Sequence, residues 1–190
     1  MKKTSILLLT VALLSIAFHS RANDFEAALS SQTAQFTFRS DSSLIGWGGA
    51  DLSLSLFYNE ASDFIGQVGL LQMRQASENT PFTLGVGVKA YVGSLDDVNR
   101  DVFAFGVGGQ MRYTIPGIMP TAIYLTGHYS PKITSFSDSK EIIDYQFGIQ
   151  IEVLPQTTAF VGIRHLEVKL KEQTYELDDD KVHFGVRLTF

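Results

Sequence analysis

From Gly48 to the C-terminus, apolar residues fall on every second position in run after run. Ala50, Leu52, Leu54, Leu56 and Tyr58 oppose Asp51, Ser53, Ser55 and Phe57. Phe82, Leu84, Val86, Val88, Ala90 and Val92 oppose Thr83, Gly85, Gly87, Lys89, Tyr91 and Gly93. The chain closes with Phe184, Val186, Leu188 and Phe190 opposite His183, Gly185, Arg187 and Thr189. Side chains alternate between the two faces of a strand, so each run predicts a strand with one apolar and one polar face. Eight such strands follow Gly48, most of them near ten residues. Ahead of them, Phe25, Ala27 and Leu29, then Ala34, Phe36 and Phe38, alternate on either side of Ser30-Ser31-Gln32, a candidate tight turn. Arg74–Pro81 and Pro155–Thr157 read as turns, Ser94–Asp101 and Pro131–Lys140 as polar loops, and Glu172–Asp180 as an acidic loop.

A soluble edge strand with such an apolar face is an aggregation hazard, whereas a closed barrel with lipid outside and a lumen inside has no free edge. The expected fold is all-β: a closed antiparallel transmembrane barrel of ten strands, with eight strands plus an N-terminal segment as the alternative. Both counts are even and place the C-terminus on the periplasmic side of a bacterial outer membrane. Aromatics add a second signal. Tyr58, Phe64, Phe103, Phe105, Tyr129, Tyr145 and Phe147 sit near the outer strand ends, and Phe82, Tyr113 and Phe190 near the inner ends. Two such bands match the aromatic girdles of membrane interfaces.

Composition sharpens this picture at the N-terminus. Lys2 and Lys3, the apolar run Ile6–Phe18 and Ser20-Arg21-Ala22 predict a secretory signal peptide over residues 1–22, leaving 23–190 as the barrel domain. Without Lys2, Lys3 and Arg21, 12 basic residues face 20 acidic ones. That balance argues against nucleic acid as a partner, which requires a basic footprint. The chain has no cysteine, so disulfides, zinc–thiolate sites and cysteine nucleophiles are excluded.

Gly85-Val86-Gly87-Val88-Lys89-Ala90-Tyr91, Tyr124-Leu125-Thr126-Gly127-His128-Tyr129-Ser130-Pro131, Val161-Gly162-Ile163-Arg164-His165-Leu166 and the closing His183–Phe190 stretch resemble the YfaZ family of small bacterial outer-membrane proteins. The resemblance covers most of the chain after the signal and is weakest before Gly48. It implies an outer-membrane barrel and supplies no substrate or catalytic residue. At His128 the chain departs from the aromatic residue usual there.

The polar faces carry Asp51, Lys89, Arg112, Asp144, Glu152, Arg164 and Arg187, a nearly balanced set within an acidic chain. Such a set is expected to form a lumen charge network that fills a narrow barrel, since buried charges survive by pairing; a selectivity ring in a small pore is the alternative. Inward glycines, Gly85, Gly87, Gly106, Gly108, Gly148, Gly162 and Gly185, leave room for long neighbours. The terminal stripe Phe184, Val186, Leu188 and Phe190 resembles the signal read by barrel-assembly machinery, which is an expected partner during insertion. Outer-membrane lipids and lipopolysaccharide are the other expected partners.

No cofactor and no metal site is predicted; the Asp178-Asp179-Asp180 run reads as a solvated loop rather than a calcium site. The function expected is that of a non-enzymatic barrel, structural or a narrow passive channel. The alternative is a lipid hydrolase. His128 and Ser130 lie two residues apart on one strand face, with Glu141 beyond the next loop, similar to the histidine–serine–glutamate arrangement of outer-membrane lipid A deacylases. Parity puts His128 and Ser130 on the lumen face, away from a lipid substrate.

Overall fold

A computed structural model describes residues 23–45, 48–76, 80–96, 98–170 and 174–190, so the predicted signal peptide lies outside the described residues. The chain forms β1 (Asp24–Leu29), β2 (Thr33–Asp41), β3 (Asp51–Asn59), β4 (Phe64–Gln75), β5 (Phe82–Leu95), β6 (Arg100–Ile115), β7 (Thr121–Ser130), β8 (Ser135–Ser137), β9 (Ser139–Leu154), β10 (Thr157–Leu170) and β11 (Thr174–Thr189). All but β8 pair antiparallel with both neighbours and close into a ten-stranded barrel. The closing seam pairs β1 with β11, from Asp24↔Thr189 to Leu29↔Phe184. The Asn23 and Phe190 backbones extend it with reciprocal hydrogen bonds of 2.8 and 2.9 Å. The N-terminal pair around Ser30–Gln32 is therefore part of the wall, as the ten-strand expectation required.

The period-two pattern is what sorts the two faces. Val86, Val88, Phe103, Phe105, Val107, Phe147 and Phe184 point outward and are exposed, while Glu26, Thr37, Ser55, Gln67, Asp144, Gln150, Arg164 and His183 point inward and are buried. An outward apolar band around a polar interior is the distribution a membrane barrel needs. Inward glycines sit under the large side chains of adjacent strands. A Cβ on Gly148 would lie 2.7 Å from the Tyr124 hydroxyl, and one on Gly162 3.2 Å from the His183 ring.

The ends of the barrel differ. The lower end holds Asn23 and Phe190, and β4 runs four residues past β3 there, from Gln72 to Gln75. At the upper end the wall is uneven. β1 stops at Leu29, opposite Phe184, while β11 runs on to Thr174 and pairs there with β10 alone. β6 also overshoots β7, and β8 covers its exposed end, pairing Phe136 with Phe103. The stretch Thr174–Asp180, expected to be loop, is strand. Its reason is visible in the register. The β10–β11 ladder slips twice between Arg164 and Glu167, and Asp180 adopts φ 46°. Extra residues of this kind bend a strand and re-aim its side chains. Here they turn Leu177 and Asp178 into the barrel, where both are buried. Pro131–Lys140 likewise is not plain loop. It contains a 3₁₀ turn at Lys132–Thr134, then β8 and the first residues of β9.

Candidate functional site

The lumen is layered, and the layers follow from which residues each strand turns inward. At the upper end, Phe57 of β3, Ile65 of β4, Tyr91 and Leu95 of β5, Val102 and Ala104 of β6, Ile142 of β9, Leu166, Val168 and Leu170 of β10, and Leu177 of β11 form one continuous cluster. These side chains come from seven strands around the circumference, and each is at most 7% exposed. A residue lining a water-wide pore keeps contact with water. This layer therefore closes the lumen towards the upper end. Packed interiors leave few voids of even water size, which is why mutually contacting side chains suffice.

Three polar groups adjoin it, the first level with the layer, where the Arg164 guanidinium lies 5.0 Å from the Phe57 ring centroid and Leu166 pairs with Asp178. In the first, Arg164 of β10 reaches across to β2. Its Nε donates to Asp178 Oδ2 at 2.7 Å, Nη1 to Gln35 Oε1 at 2.6 Å and Nη2 to Thr33 Oγ1 at 2.9 Å. Thr33 Oγ1 donates in turn to Asp178 Oδ2 at 3.2 Å. In the second, Asp144 Oδ2 accepts from Lys89 Nζ at 2.8 Å and from the Tyr91 hydroxyl at 2.9 Å. In the third, Glu26 Oε2 takes Arg39 Nη1 at 2.8 Å and Arg187 Nε and Nη2 at 2.9 and 2.7 Å. Gln146 stands apart from these groups, donating to the Tyr124 hydroxyl at 3.1 Å and lying 2.8 Å from His183 Nε2. Charge-assisted bonds of this length hold long side chains in one geometry. Between them remains a polar cavity of about 90 Å³, with Thr37, Arg39, Ser53, Ser55, Gln110, Thr126 and His128 among its walls.

Of the seven charged residues singled out in the sequence, Lys89 and Asp144 meet each other. Arg164 and Arg187 pair with Asp178 and Glu26. Asp51 and Glu152 are exposed. Arg112, half-buried, leaves its Nε without a partner among the described residues. Glu26, Arg39, Gln146 and His183 are absent from that set, and Asp178, read in the sequence as part of a solvated run, is instead buried against Arg164. For Glu26 and Arg39 the signal existed: both alternate against Phe25, Ala27, Phe36 and Phe38. Asp178 had none, because its inward turn depends on the bulge.

The hydrolase arrangement is not assembled. His128 and Ser130 do face the lumen and are buried, but Glu141 lies on the opposite face of β9, where its Oε1 holds Lys169 Nζ at 2.9 Å. That hydrogen bond raises the Lys169 pKa above its usual value. Ser130 Oγ and His128 Nδ1 each lack a hydrogen-bond partner among the described residues, so no histidine activates this serine.

No family model matches the chain, and no curated protein does. The resemblance to the YfaZ family therefore rests on the sequence motifs alone. Solved barrels are similar in architecture. The KdgM porin in complex with disordered oligogalacturonate has a TM-score of 0.48 and 11% identity over 90% of this chain and 99% of its own. A second KdgM porin structure gives 0.46 and 12% over the same shares. The outer membrane channel DcaP of Acinetobacter baumannii gives 0.40 and 12%, over 87% of this chain and 54% of its own.

Proposed function

We propose that this chain is a non-enzymatic outer-membrane barrel, of the YfaZ kind, that acts as a narrow passive channel and rests in a closed state. One observation carries the reading: a polar lumen with a cavity lies below, and a single apolar layer seals it above. A purely structural barrel needs no cavity, and an always-open pore needs no seal. Its surroundings would be outer-membrane lipids and lipopolysaccharide, reached with the help of the barrel-assembly machinery.

Energetics favour the closed state. Exposing Leu166, Val168, Leu170 and Leu177 to water would cost ~1.5–3 kcal/mol for each large side chain. Openings are accordingly rare events, and the layer is what must be weakened to see them. In planar bilayers the purified wild type should show brief, infrequent openings. The double variant Leu95→Ser/Leu166→Ser, checked for folding by its heat-dependent gel mobility, should conduct for most of the record. A folded double variant that stays as silent as a protein-free bilayer would refute the channel reading and leave a structural barrel.

A further inference from the structure

We infer that the notch where β1 ends beside β11 seats a phosphorylated glycolipid of the outer leaflet, its phosphate on Lys181 and an acyl chain over Leu29, Val182 and Phe184. The inference rests on the outer-membrane placement in the reading above and not on conduction.

The notch follows from unequal strand lengths. The β1–β11 ladder ends at Leu29↔Phe184, and the chain turns back towards β2, with Ser30 N–H donating to the Thr33 carbonyl at 2.9 Å. Above Phe184, β11 keeps β10 as its ladder partner among the described residues, and its β1 side is open. A groove of about 610 Å³ lies in this corner, with Leu29, Ser31, Lys181, Val182, Phe184 and Gly185 among its walls. Leu29, Val182 and Phe184 make it apolar, and each is more than half exposed. Lys181 and Ser31 make its upper rim polar.

The height fits a lipid. Val182 pairs with Ile163, and Ile163 with Phe147, so the groove meets the upper aromatic band. Higher on β10 the outward positions change from Val161 and Ile163 to His165, Glu167 and Lys169. That change marks where hydrocarbon gives way to headgroups. Lys181 follows directly above Val182. A lysine there lays its stem along apolar surface and keeps its charge at headgroup level.

The charge fits a phosphate. Lys181 stands directly opposite Arg164 in the β10–β11 ladder, and like charges so placed repel. The nearby carboxylates are engaged elsewhere. Asp178 Oδ2 holds Arg164 Nε at 2.7 Å. Asp180 Oδ1 accepts from the Tyr145 hydroxyl at 2.7 Å and lies 3.6 Å from His165 Nδ1. Lys181 forms no ion pair among the described residues. An anion from outside the chain offsets this repulsion, and a phosphate also accepts charge-assisted hydrogen bonds from an ammonium. The apolar groove runs on from the rim, so the fitting anion is one that carries hydrocarbon.

Native mass spectrometry of the purified barrel tests this. Incubated with diphosphorylated lipid A, wild type should retain a lipid under activation that strips phosphatidylethanolamine and fully dephosphorylated lipid A. Lys181→Met should retain about fivefold less, the scale of one lysine at an anionic lipid surface. Lys181→Arg should match wild type, as should Lys132→Met, which alters an exposed lysine elsewhere at the upper end. Urea unfolding separates binding from a structural role. In phosphatidylcholine vesicles, which offer no anionic lipid, Lys181→Met should unfold at or above the wild-type midpoint, because it removes the charge facing Arg164. Added lipid A should then raise the wild-type midpoint more than that of the variant. The site is refuted if wild type retains no lipid, retains the dephosphorylated form equally, or retains no more lipid A than Lys181→Met does. A Lys181→Met midpoint below wild type in phosphatidylcholine, or an equal gain from lipid A in both proteins, refutes it as well. Conductance enters neither measurement, so failure here leaves the channel reading standing, and a silent channel leaves this site standing.

Discussion

Replacing Glu26 with alanine is expected to cost the folded barrel about 3 kcal/mol, the scale for stripping the partner from a buried ion pair. Glu26 Oε2 is the shared acceptor of Arg39 and Arg187, so its loss leaves two guanidinium groups side by side in the lumen. Arginine does not escape by losing its proton, because its pKa lies far above any working pH. Arg39 retains 30% side-chain exposure and Arg187 18%, so water screens part of the repulsion, and the lower end of the usual range applies. Urea unfolding of the protein in lipid vesicles, followed by tryptophan and tyrosine emission, reads the loss directly. Adding Arg187→Met to Glu26→Ala should recover part of it, since the second change removes one of the stranded charges. An unchanged unfolding midpoint for Glu26→Ala would mean that the triad is solvated and holds nothing.

Deleting Phe190 should sharply reduce the amount of barrel in the outer membrane while leaving export across the inner membrane intact. The residue contributes little to the finished wall beyond two backbone hydrogen bonds with Asn23, each worth about 1 kcal/mol. Its ring points outward, 55% exposed, and ends the stripe formed with Phe184, Val186 and Leu188. A residue so peripheral to the packed interior and so central to the outward stripe is expected to act during insertion rather than in the folded state. Quantifying the processed chain in outer-membrane and periplasmic fractions tests this. Wild-type outer-membrane levels of the deletion would assign Phe190 no role in assembly.

The wall of this barrel was legible because it obeys one local rule. Every outward residue of β5, from Phe82 to Val92, can be read from parity alone, and the same parity placed Lys89, Arg164 and Arg187 inside. Parity also places His128 and Ser130 on the lumen face, which by itself tells against a lipid substrate. The upper end was not legible, because two features there are not local. Leu177 and Asp178 are consecutive and both turn inward, which no period-two pattern allows; the bulge that permits it is a property of the β10–β11 ladder. The apolar layer was hidden for a related reason. Phe57, Tyr91 and Val102 occupy polar-face positions in their own strands, and each alone looks like an exception. Only closure of the sheet brings these exceptions to one height, where they become a seal. Ion pairing failed to be legible in the same way: Arg187 finds Glu26 across the β1–β11 seam, 161 residues away.

The closure of the lumen by that layer is tested most directly by thiol accessibility, since the chain supplies no cysteine of its own. Ala104→Cys places one thiol inside the layer, at a position with 0% exposure. Ser53→Cys places one in the wall of the polar cavity below. Both purified proteins would be treated with a small water-borne methanethiosulfonate, and the rates compared. A dry layer predicts that Ser53→Cys reacts readily while Ala104→Cys is protected at least about a hundredfold, reacting only as often as the layer opens. Equal rates at the two positions would mean that water fills the barrel from end to end, and the closed channel described here would be contradicted.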